Sequence, residues 1–212
     1  MKDTKIVLFD FDGTIADTLE SGLTVLDDLS EEYGFNKFRP HLDRLRGMSA
    51  KQIYKEWGVP LYKIAIITRR ARKEFAKQIP FQKPIEGIGE EIREIKNLGY
   101  SISILSSNSE ENVREFLRNN DLDIFDDIYS GVSIFGKHRL LKKFAHDKRV
   151  NPDQIVYVAD EARDIEAAKR ENINMIAVTW GYNLRGILEE GNPDHIIDRP
   201  EELVQIVKSF KR

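Results

Sequence analysis

The second half of the chain alternates short apolar runs with stretches of helical periodicity, and this alternation constrains the fold most. The runs predict strands at Tyr100–Leu105, Ile128–Tyr129, Ile155–Ala159, Asn174–Val178 and His195–Ile197. Helices are predicted at Gly87–Asn97, Glu110–Asn119, Lys137–His146, Glu161–Glu171 and Pro200–Phe210. Strands that alternate with helices form parallel sheets with helices on both faces. We therefore expect an α/β fold.

One further strand, Lys5–Phe9, precedes this series and is followed by a long stretch without any convincing strand. In that stretch leucines recur at helical spacing, and Gly34 is expected to end the helix that they form: Leu19, Leu23, Leu26, Leu29. Two more helices are predicted, at Ser49–Trp57 and from Pro60 to about Ile79. The expected organisation is an α/β core, residues 1–17 and 83–212, with an α-helical cap, residues 18–82, inserted after the first strand.

Composition excludes several classes of partner and site. The 212 residues include 33 Lys+Arg and 36 Asp+Glu, a net charge of -3, which gives no basic surface for nucleic acid and no polybasic membrane anchor. No apolar run approaches the roughly 20 residues of a membrane span, and the N-terminus does not resemble a signal peptide. Without cysteine there is no disulfide or thiolate zinc site. A soluble cytoplasmic protein is expected.

Polar residues follow the predicted strands where a functional site is expected. Asp10-Phe11-Asp12-Gly13-Thr14 follows the first strand, and Asp10 and Asp12, two apart on an extended chain, point the same way. Ser106-Ser107-Asn108 follows the strand that ends at Leu105, and Asp160 follows Ala159, with Asp164 four residues further on. Ligands of open α/β sheets bind outside the carboxyl ends of the strands. Each piece also has a local interpretation, such as Ser106 as a helix N-cap.

A cluster of carboxylates repels itself, and a hard cation with oxygen ligands relieves that repulsion. Magnesium commonly uses one or two carboxylates together with water and phosphate oxygens. Lys137, which begins a predicted helix, would add an ammonium group to the same crevice. Carboxylate, metal, hydroxyl and ammonium together suit phosphoryl transfer, in which charge on the equatorial oxygens must be neutralised.

These residues match, in order, the four motifs of the haloacid dehalogenase superfamily, so the whole chain resembles that family: Asp10–Thr14, Ser106, Lys137, Asp160…Asp164. The segment Val156–Ile165 is similar to the fourth motif of phosphoglycolate-phosphatase-like members, with Ala159 where glycine is usual and Ser106 where threonine is frequent. The resemblance implies a Rossmann-like core, a magnesium-dependent phosphatase acting on a small phosphate ester, and substrate selection by the cap.

The resemblance also implies roles for individual residues. Asp10 would attack phosphorus and form an aspartyl-phosphate, and Asp12 would act as general acid and then general base. Ser106 would hydrogen-bond a phosphoryl oxygen, and Lys137 would offset the charge of that oxygen and of Asp10. The two residues after Ser106, Ser107 and Asn108, would contact the substrate. The metal ligands would be Asp10, the backbone carbonyl of Asp12, Asp160 and Asp164. Asp164 would ligate the metal directly or through water, or it would instead orient Lys137.

Substrate choice is expected to depend on the cap. Arg46 precedes Gly47 between two predicted cap helices, where similar loops in relatives reach over the core site. Its planar guanidinium would suit a carboxylate or a second phosphate on the leaving alcohol. A solvated loop arginine is the alternative for this residue.

Other functions remain open at this stage. A receiver-like phospho-switch also combines acidic residues, a phosphorylatable Asp, Ser/Thr and Lys, although it lacks a cap of about 60 residues that closes over a substrate. A phosphomutase of the same superfamily is a second alternative, and Thr18–Gly22 contains no histidine of the kind that some mutases carry there. A dehalogenase lacks the second aspartate, so Asp12 disfavours that activity.

Overall fold

A six-stranded sheet forms the centre of the computed structural model, which describes residues 6–49, 52–53, 55, 61–130 and 136–210. The strands in chain order are β1 (Ile6–Asp10), β2 (Ser101–Leu105), β3 (Asp127–Tyr129), β4 (Ile155–Ala159), β5 (Asn174–Val178) and β6 (His195–Ile197). Their order across the sheet is β3-β2-β1-β4-β5-β6, and every neighbouring pair is parallel. The predicted α/β fold is confirmed. Its Rossmann-like strand order reverses direction between β1 and β4, which opens a crevice at their carboxyl ends.

Helices cover both faces of this sheet. The described helices are α1 (Leu19–Tyr33), α2 (Leu42–Arg46), α3 (Leu61–Ala76), α4 (Ile88–Asn97), α5 (Glu110–Asn119), α6 (Lys137–Lys148), α7 (Ala162–Glu171), α8 (Arg185–Glu190) and α9 (Leu203–Ser209). Sequence analysis missed α2 and α8, which have five and six residues, because fewer than two turns leave no periodicity to detect. The predicted helix Pro200–Phe210 begins as a 3₁₀ turn over Pro200–Glu202.

Alternate residues of β1 point into two separate hydrophobic cores. Val7 and Phe9 belong to the core that the sheet forms with α4, α5 and α9, while Ile6 and Leu8 belong to the core formed with α6, α7 and α8. All five residues of β1 and of β4 are buried. Burial on both faces explains why these strands are continuous apolar runs instead of alternating patterns.

Helices α1 and α3 form a third, smaller core around Val25, Leu29 and Ile67. As predicted, α1 ends at Gly34, which has a φ of 75° and whose N–H donates to the Ser30 carbonyl. Helix α3 ends at Ala76, three residues before the predicted Ile79. Of the other predictions, Lys5, Pro60 and most of Ser49–Trp57 lie outside the described residues.

The chain leaves the sheet layer and returns to it through two adjacent segments, residues 15–17 and 83–85. The N–H of Ile85 donates to the Ile15 carbonyl at 2.8 Å, and the N–H of Asp17 donates to the Lys83 carbonyl at 2.9 Å. The predicted boundaries between core and cap fall beside this pairing, and the division into two domains stays a prediction. Residues 18–82 are called the helical segment below.

Candidate active site

The predicted site residues of the core meet at the carboxyl ends of β1, β2 and β4, as the strand order requires. Asp10 is the last residue of β1, and Ser106 and Asp160 directly follow β2 and β4. Two more come from helix N-termini on one face of the sheet: Lys137 is the first residue of α6, and Asp164 lies in the first turn of α7.

A buried ion network connects three of these residues. The ammonium Nζ of Lys137 lies 2.6 Å from Oδ2 of Asp10 and 2.7 Å from Oδ1 of Asp164, and these side chains are 6%, 6% and 0% exposed. The hydroxyl of Tyr157 on β4 lies 3.3 Å from the same Nζ and 3.4 Å from Oδ1 of Asp164. One buried cation thus bridges two buried carboxylates and fixes their separation.

The network shifts the pKa values of its members. Burial opposes the charged form of Lys137, but Asp10 and Asp164 outweigh it and raise the pKa of Lys137 above its usual range, so the ammonium stays charged. Burial raises the pKa of Asp164 to about 7, despite the opposing attraction of Lys137. Lys137 is therefore a fixed positive charge beside Asp10.

Asp12 has the properties of a group that exchanges a proton near neutral pH. Its Oδ2 accepts a hydrogen bond of 2.7 Å from Nδ2 of Asn108. Its Oδ1 is shielded from solvent and has no hydrogen-bond partner among the described residues. Burial, followed by repulsion from Asp10, raises the pKa of Asp12 to about 7. A carboxyl group with such a pKa can donate a proton and later accept one.

Asp160 is fully buried and is held by hydrogen bonds to both of its carboxylate oxygens. Its Oδ1 accepts a 2.9 Å hydrogen bond from the Thr14 hydroxyl, and its Oδ2 accepts one of 2.6 Å from the N–H of Tyr182. A Cβ at Gly13, whose φ is +74°, would lie 2.4 Å from Oδ2, so this turn has room only for glycine. Burial and the neighbouring Glu161 raise the pKa of Asp160 well above its usual range.

The three residues that follow β2, Ser106 to Asn108, differ in burial and in hydrogen-bond partners. Ser106 is fully buried, and its Oγ accepts a 3.0 Å hydrogen bond from the N–H of Asn108. It does not cap α5, because the N-cap of that helix is Ser109, whose side chain accepts from the N–H of Asn112. Asn108 orients Asp12, as described above, and Ser107 is exposed. Contact of Ser107 and Asn108 with a substrate stays a prediction.

One carboxylate oxygen from each of Asp10, Glu161 and Asp164 lies within 4.8 Å of the other two. Oδ2 of Asp164 is buried and has no hydrogen-bond partner among the described residues. An all-oxygen group with an unsatisfied acceptor fits a hard divalent cation such as magnesium. Glu161 is not among the residues predicted from the sequence, although it directly follows Asp160 at the end of a strand. The predicted ligand set with Asp12 and Asp160 stays a prediction.

A cavity of about 780 Å³ lies between this site and the helical segment. On the core side its lining includes Lys137, Glu161 and Arg163. On the other side it is lined largely by apolar side chains of the helical segment, among them Leu23, Leu26, Phe35, Leu45, Ile67 and Phe75. The cavity joins the charged residues of the core to an apolar region large enough for an organic group.

Arg46 lines the same cavity, but its guanidinium contacts the core. It donates hydrogen bonds to backbone carbonyls in the loop after β5, the strongest to Gly181 at 2.7 Å. These partners were not expected from the sequence, where the guanidinium was predicted to meet an anionic group of the substrate. In this structure the donors of Arg46 are directed to protein carbonyls.

Fold and site together define a hydrolase class. The sequence pattern of the haloacid dehalogenase-like hydrolases matches residues 7–178, so the chain belongs to that family and the predicted resemblance is confirmed. Among known relatives, the phosphoglycolate phosphatase of Synechococcus elongatus is 28% identical over 208 residues, covering 97% of this chain and 98% of that protein. Pyrophosphatase PpaX of Bacillus mycoides is 24% identical over 207 residues, covering 95% of each.

Solved structures share the fold at low sequence identity. A structure from Clostridium acetobutylicum, described as a predicted phosphatase, superimposes with a TM-score of 0.80 at 21% identity, covering 99% of this chain and 100% of that one. Among the residues that the structure describes, no helix is both long and apolar enough to cross a membrane.

Proposed function

We propose that this hydrolase is a magnesium-dependent phosphatase that acts on a small phosphate monoester through an aspartyl-phosphate on Asp10. The observation that carries the proposal is the pairing of Asp10 with a buried, permanently charged Lys137, next to Asp12 with a pKa of about 7. A nucleophile, a cation for phosphoryl charge and an acid–base group are the parts that two-step phosphoryl transfer needs.

In the first step Asp10 attacks phosphorus and the ester bond to the leaving alcohol breaks. Asp12 is suited to protonate the departing oxygen, because its raised pKa keeps it protonated in part near neutral pH. Lys137, held 2.6 Å from Asp10, offsets the negative charge of the phosphoryl group as it approaches that carboxylate. The buried Ser106 hydroxyl is placed at the same strand edge and would donate to a phosphoryl oxygen.

In the second step water attacks the aspartyl-phosphate and releases Asp10. Asp12, now deprotonated, takes the proton from that water, and Asn108 keeps its carboxylate in place through Oδ2.

The acids that would hold Mg²⁺ are Asp10, Asp160, Glu161 and Asp164, and bound Mg²⁺ would supply positive charge for the phosphoryl oxygens. The Thr14 hydroxyl and the Tyr182 N–H keep Asp160 oriented throughout.

Phosphoglycolate is the first substrate to test, because the Synechococcus relative is a phosphoglycolate phosphatase. Phosphate release should be measured with Mg²⁺ over a panel of phosphoglycolate, sugar phosphates, nucleotides and pyrophosphate. Alkyl and aryl phosphates belong in the panel as well, since the cavity lining is largely apolar. Hydrolysis of at least one monoester that is lost with EDTA supports the proposal, and a chain inert toward the whole panel contradicts it.

The intermediate can be trapped with two variants. Asp10→Asn keeps the size of the side chain but removes the nucleophile, so turnover should vanish. Asp12→Asn should still be phosphorylated by an aryl phosphate, whose good leaving group needs little protonation, and should hydrolyse slowly afterwards. Mass spectrometry of quenched Asp12→Asn should then show an added phosphoryl group on the peptide that contains Asp10. An unmodified peptide would refute the two-step mechanism.

A further inference from the structure

The guanidinium of Arg46, at the end of α2, is held by the loop that follows β5, here called the β5 loop (residues 179–184). Its Nη2 donates to the carbonyls of Gly181 at 2.7 Å and Thr179 at 3.5 Å, and its Nε donates to that of Tyr182 at 3.4 Å. The partners are 133 to 136 residues away in sequence. A guanidinium is a flat fork of five donors, which suits several carbonyls at once and which a lysine cannot reproduce.

The contact is reciprocal, because the β5 loop also binds the main chain of Arg46. The carbonyl of Arg46 accepts hydrogen bonds from the N–H of Leu184 at 2.9 Å and from Nδ2 of Asn183 at 3.1 Å. Arg46 thus engages the loop through both its side chain and its backbone. Together with the Tyr182 hydroxyl, which bonds Thr18 at 3.2 Å, Arg46 ties the helical segment to the core beside the cavity.

The same loop encloses the acidic segment that follows β4. The N–H of Tyr182 donates to Oδ2 of Asp160, and the Oδ1 of Asn183 accepts from the N–H of Ala162 at 2.9 Å. The two contacts lie on either side of Glu161. The loop therefore contacts the Asp160 carboxylate and the backbone that follows Glu161.

The backbone of the loop lies directly against Asp160. A Cβ added at Gly181 would lie 2.2 Å from its Oδ2 and 2.4 Å from its Cβ, which is closer than any real Cβ contact. Close packing of this kind transmits displacement, because protein interiors have little free volume to absorb it.

We propose that Arg46 is a positioning residue for the metal site: by binding the β5 loop from α2, it keeps that loop in place and so fixes Asp160 and Glu161 in the geometry that binds Mg²⁺. This inference rests on the proposed function, which assigns these two acids to the metal. Groups that hydrogen-bond metal ligands directly commonly change metal affinity 10- to 100-fold when removed. Because Arg46 acts on the acids through the β5 loop, we expect an effect at the lower end of that range, about 10-fold. Because coupling between sites is reciprocal, bound Mg²⁺ also favours the arrangement in which α2 is docked on the β5 loop.

The test measures Mg²⁺ binding directly, by isothermal titration calorimetry on metal-free protein and by the rise of Tm with Mg²⁺. Arg46→Ala should raise the Kd for Mg²⁺ about 10-fold, and Arg46→Lys should give a smaller rise because an ammonium contacts fewer carbonyls. Arg69→Ala, at an exposed position of α3, is the matched control and should bind Mg²⁺ like the wild type. At saturating Mg²⁺, Arg46→Ala should recover most of the wild-type kcat.

The outcomes separate the inference from the function on which it rests. Unchanged Mg²⁺ affinity in Arg46→Lys and Arg46→Ala, with a wild type that binds Mg²⁺, overturns the role of Arg46 alone. If the Mg²⁺ affinity of Arg46→Ala is unchanged but its KM for an anionic ester is raised, Arg46 binds the substrate and does not position the metal site. A wild type that binds no Mg²⁺ overturns the proposed function as well. If Arg46→Ala does not fold, Arg46→Lys, which keeps the charge and the length of the side chain, decides by itself.

Discussion

The substitution Asp12→Asn should stabilise the metal-free protein, and by an amount that grows with pH. Burial and the neighbouring Asp10 raise the pKa of Asp12 from 3.8 to about 7. Between these two values the carboxyl group is ionised in the unfolded chain and protonated in the folded chain. The unfolded state then binds fewer protons than the folded state, so the free energy of unfolding falls as pH rises through this window.

The magnitude follows from the size of the shift. Each pKa unit corresponds to about 1.36 kcal/mol, so a difference of about 3 units costs the wild type at most about 4 kcal/mol above pH 7. At pH 5 only about a third of that cost is present. Asn cannot ionise and avoids the cost, while its side-chain oxygen can still accept from Asn108. The stability gained by the variant should therefore be about 2–3 kcal/mol larger at pH 8 than at pH 5.

Urea unfolding with EDTA present, at pH 5 and pH 8, measures this difference. Asp17→Asn is the control, because Asp17 is exposed at the end of the same loop. Its effect on the free energy of unfolding should be small at both pH values. An Asp12→Asn variant whose gain is the same at pH 5 and pH 8, or which is less stable than the wild type at pH 8, would refute the argument from burial.

Three further predictions concern the ion network and the metal. Lys137→Met leaves two buried carboxylates unpaired and should lower the free energy of unfolding by about 3–5 kcal/mol; a loss below about 1 kcal/mol in urea unfolding would contradict this. Tyr157→Phe removes the hydroxyl between Lys137 and Asp164 and should lower kcat about 5-fold with little change in KM, as expected for about 1 kcal/mol from one hydrogen bond. Ca²⁺ should bind in competition with Mg²⁺ and inhibit turnover, because its larger, looser coordination shell can draw both oxygens of Asp10 into ligation; full activity with Ca²⁺ would refute this account.

The strands and the position of the site could be predicted because they depend on local sequence. A strand buried on both faces is an apolar run, and in a parallel sheet the residues that follow such runs share one edge. Lys137 lies 127 residues after Asp10 and 27 residues before Asp164. The three could nevertheless be expected in one crevice, because their segments were predicted to meet at the same edge of the sheet. Glu161 was not predicted as a metal ligand because the preceding residue, Asp160, was assigned that role.

The partners of Arg46 and Tyr157 could not be predicted, because they depend on tertiary contacts alone. Tyr157 appears in the sequence as one more apolar strand residue, and nothing local shows that its hydroxyl reaches Lys137. Arg46 was expected to contact substrate because similar cap loops in relatives reach over the core site, with a solvated loop arginine as the alternative. Its partners are backbone carbonyls, which every residue carries, so no side chain of the β5 loop indicates the contact in advance.

The charge distribution supports the proposal that the site accepts a phosphate ester with the help of a cation and a protonated acid. Five acids share the crevice with two cations: Asp10, Asp12, Asp160, Glu161 and Asp164, against Lys137 and Arg163, which pairs with Glu161. Burial raises the pKa of three of these acids, so the folded chain resists ionising them all together. A phosphate dianion entering such a field would be repelled. A divalent cation and one proton on Asp12 offset most of that repulsion, and the same proton is then in place to leave with the alcohol.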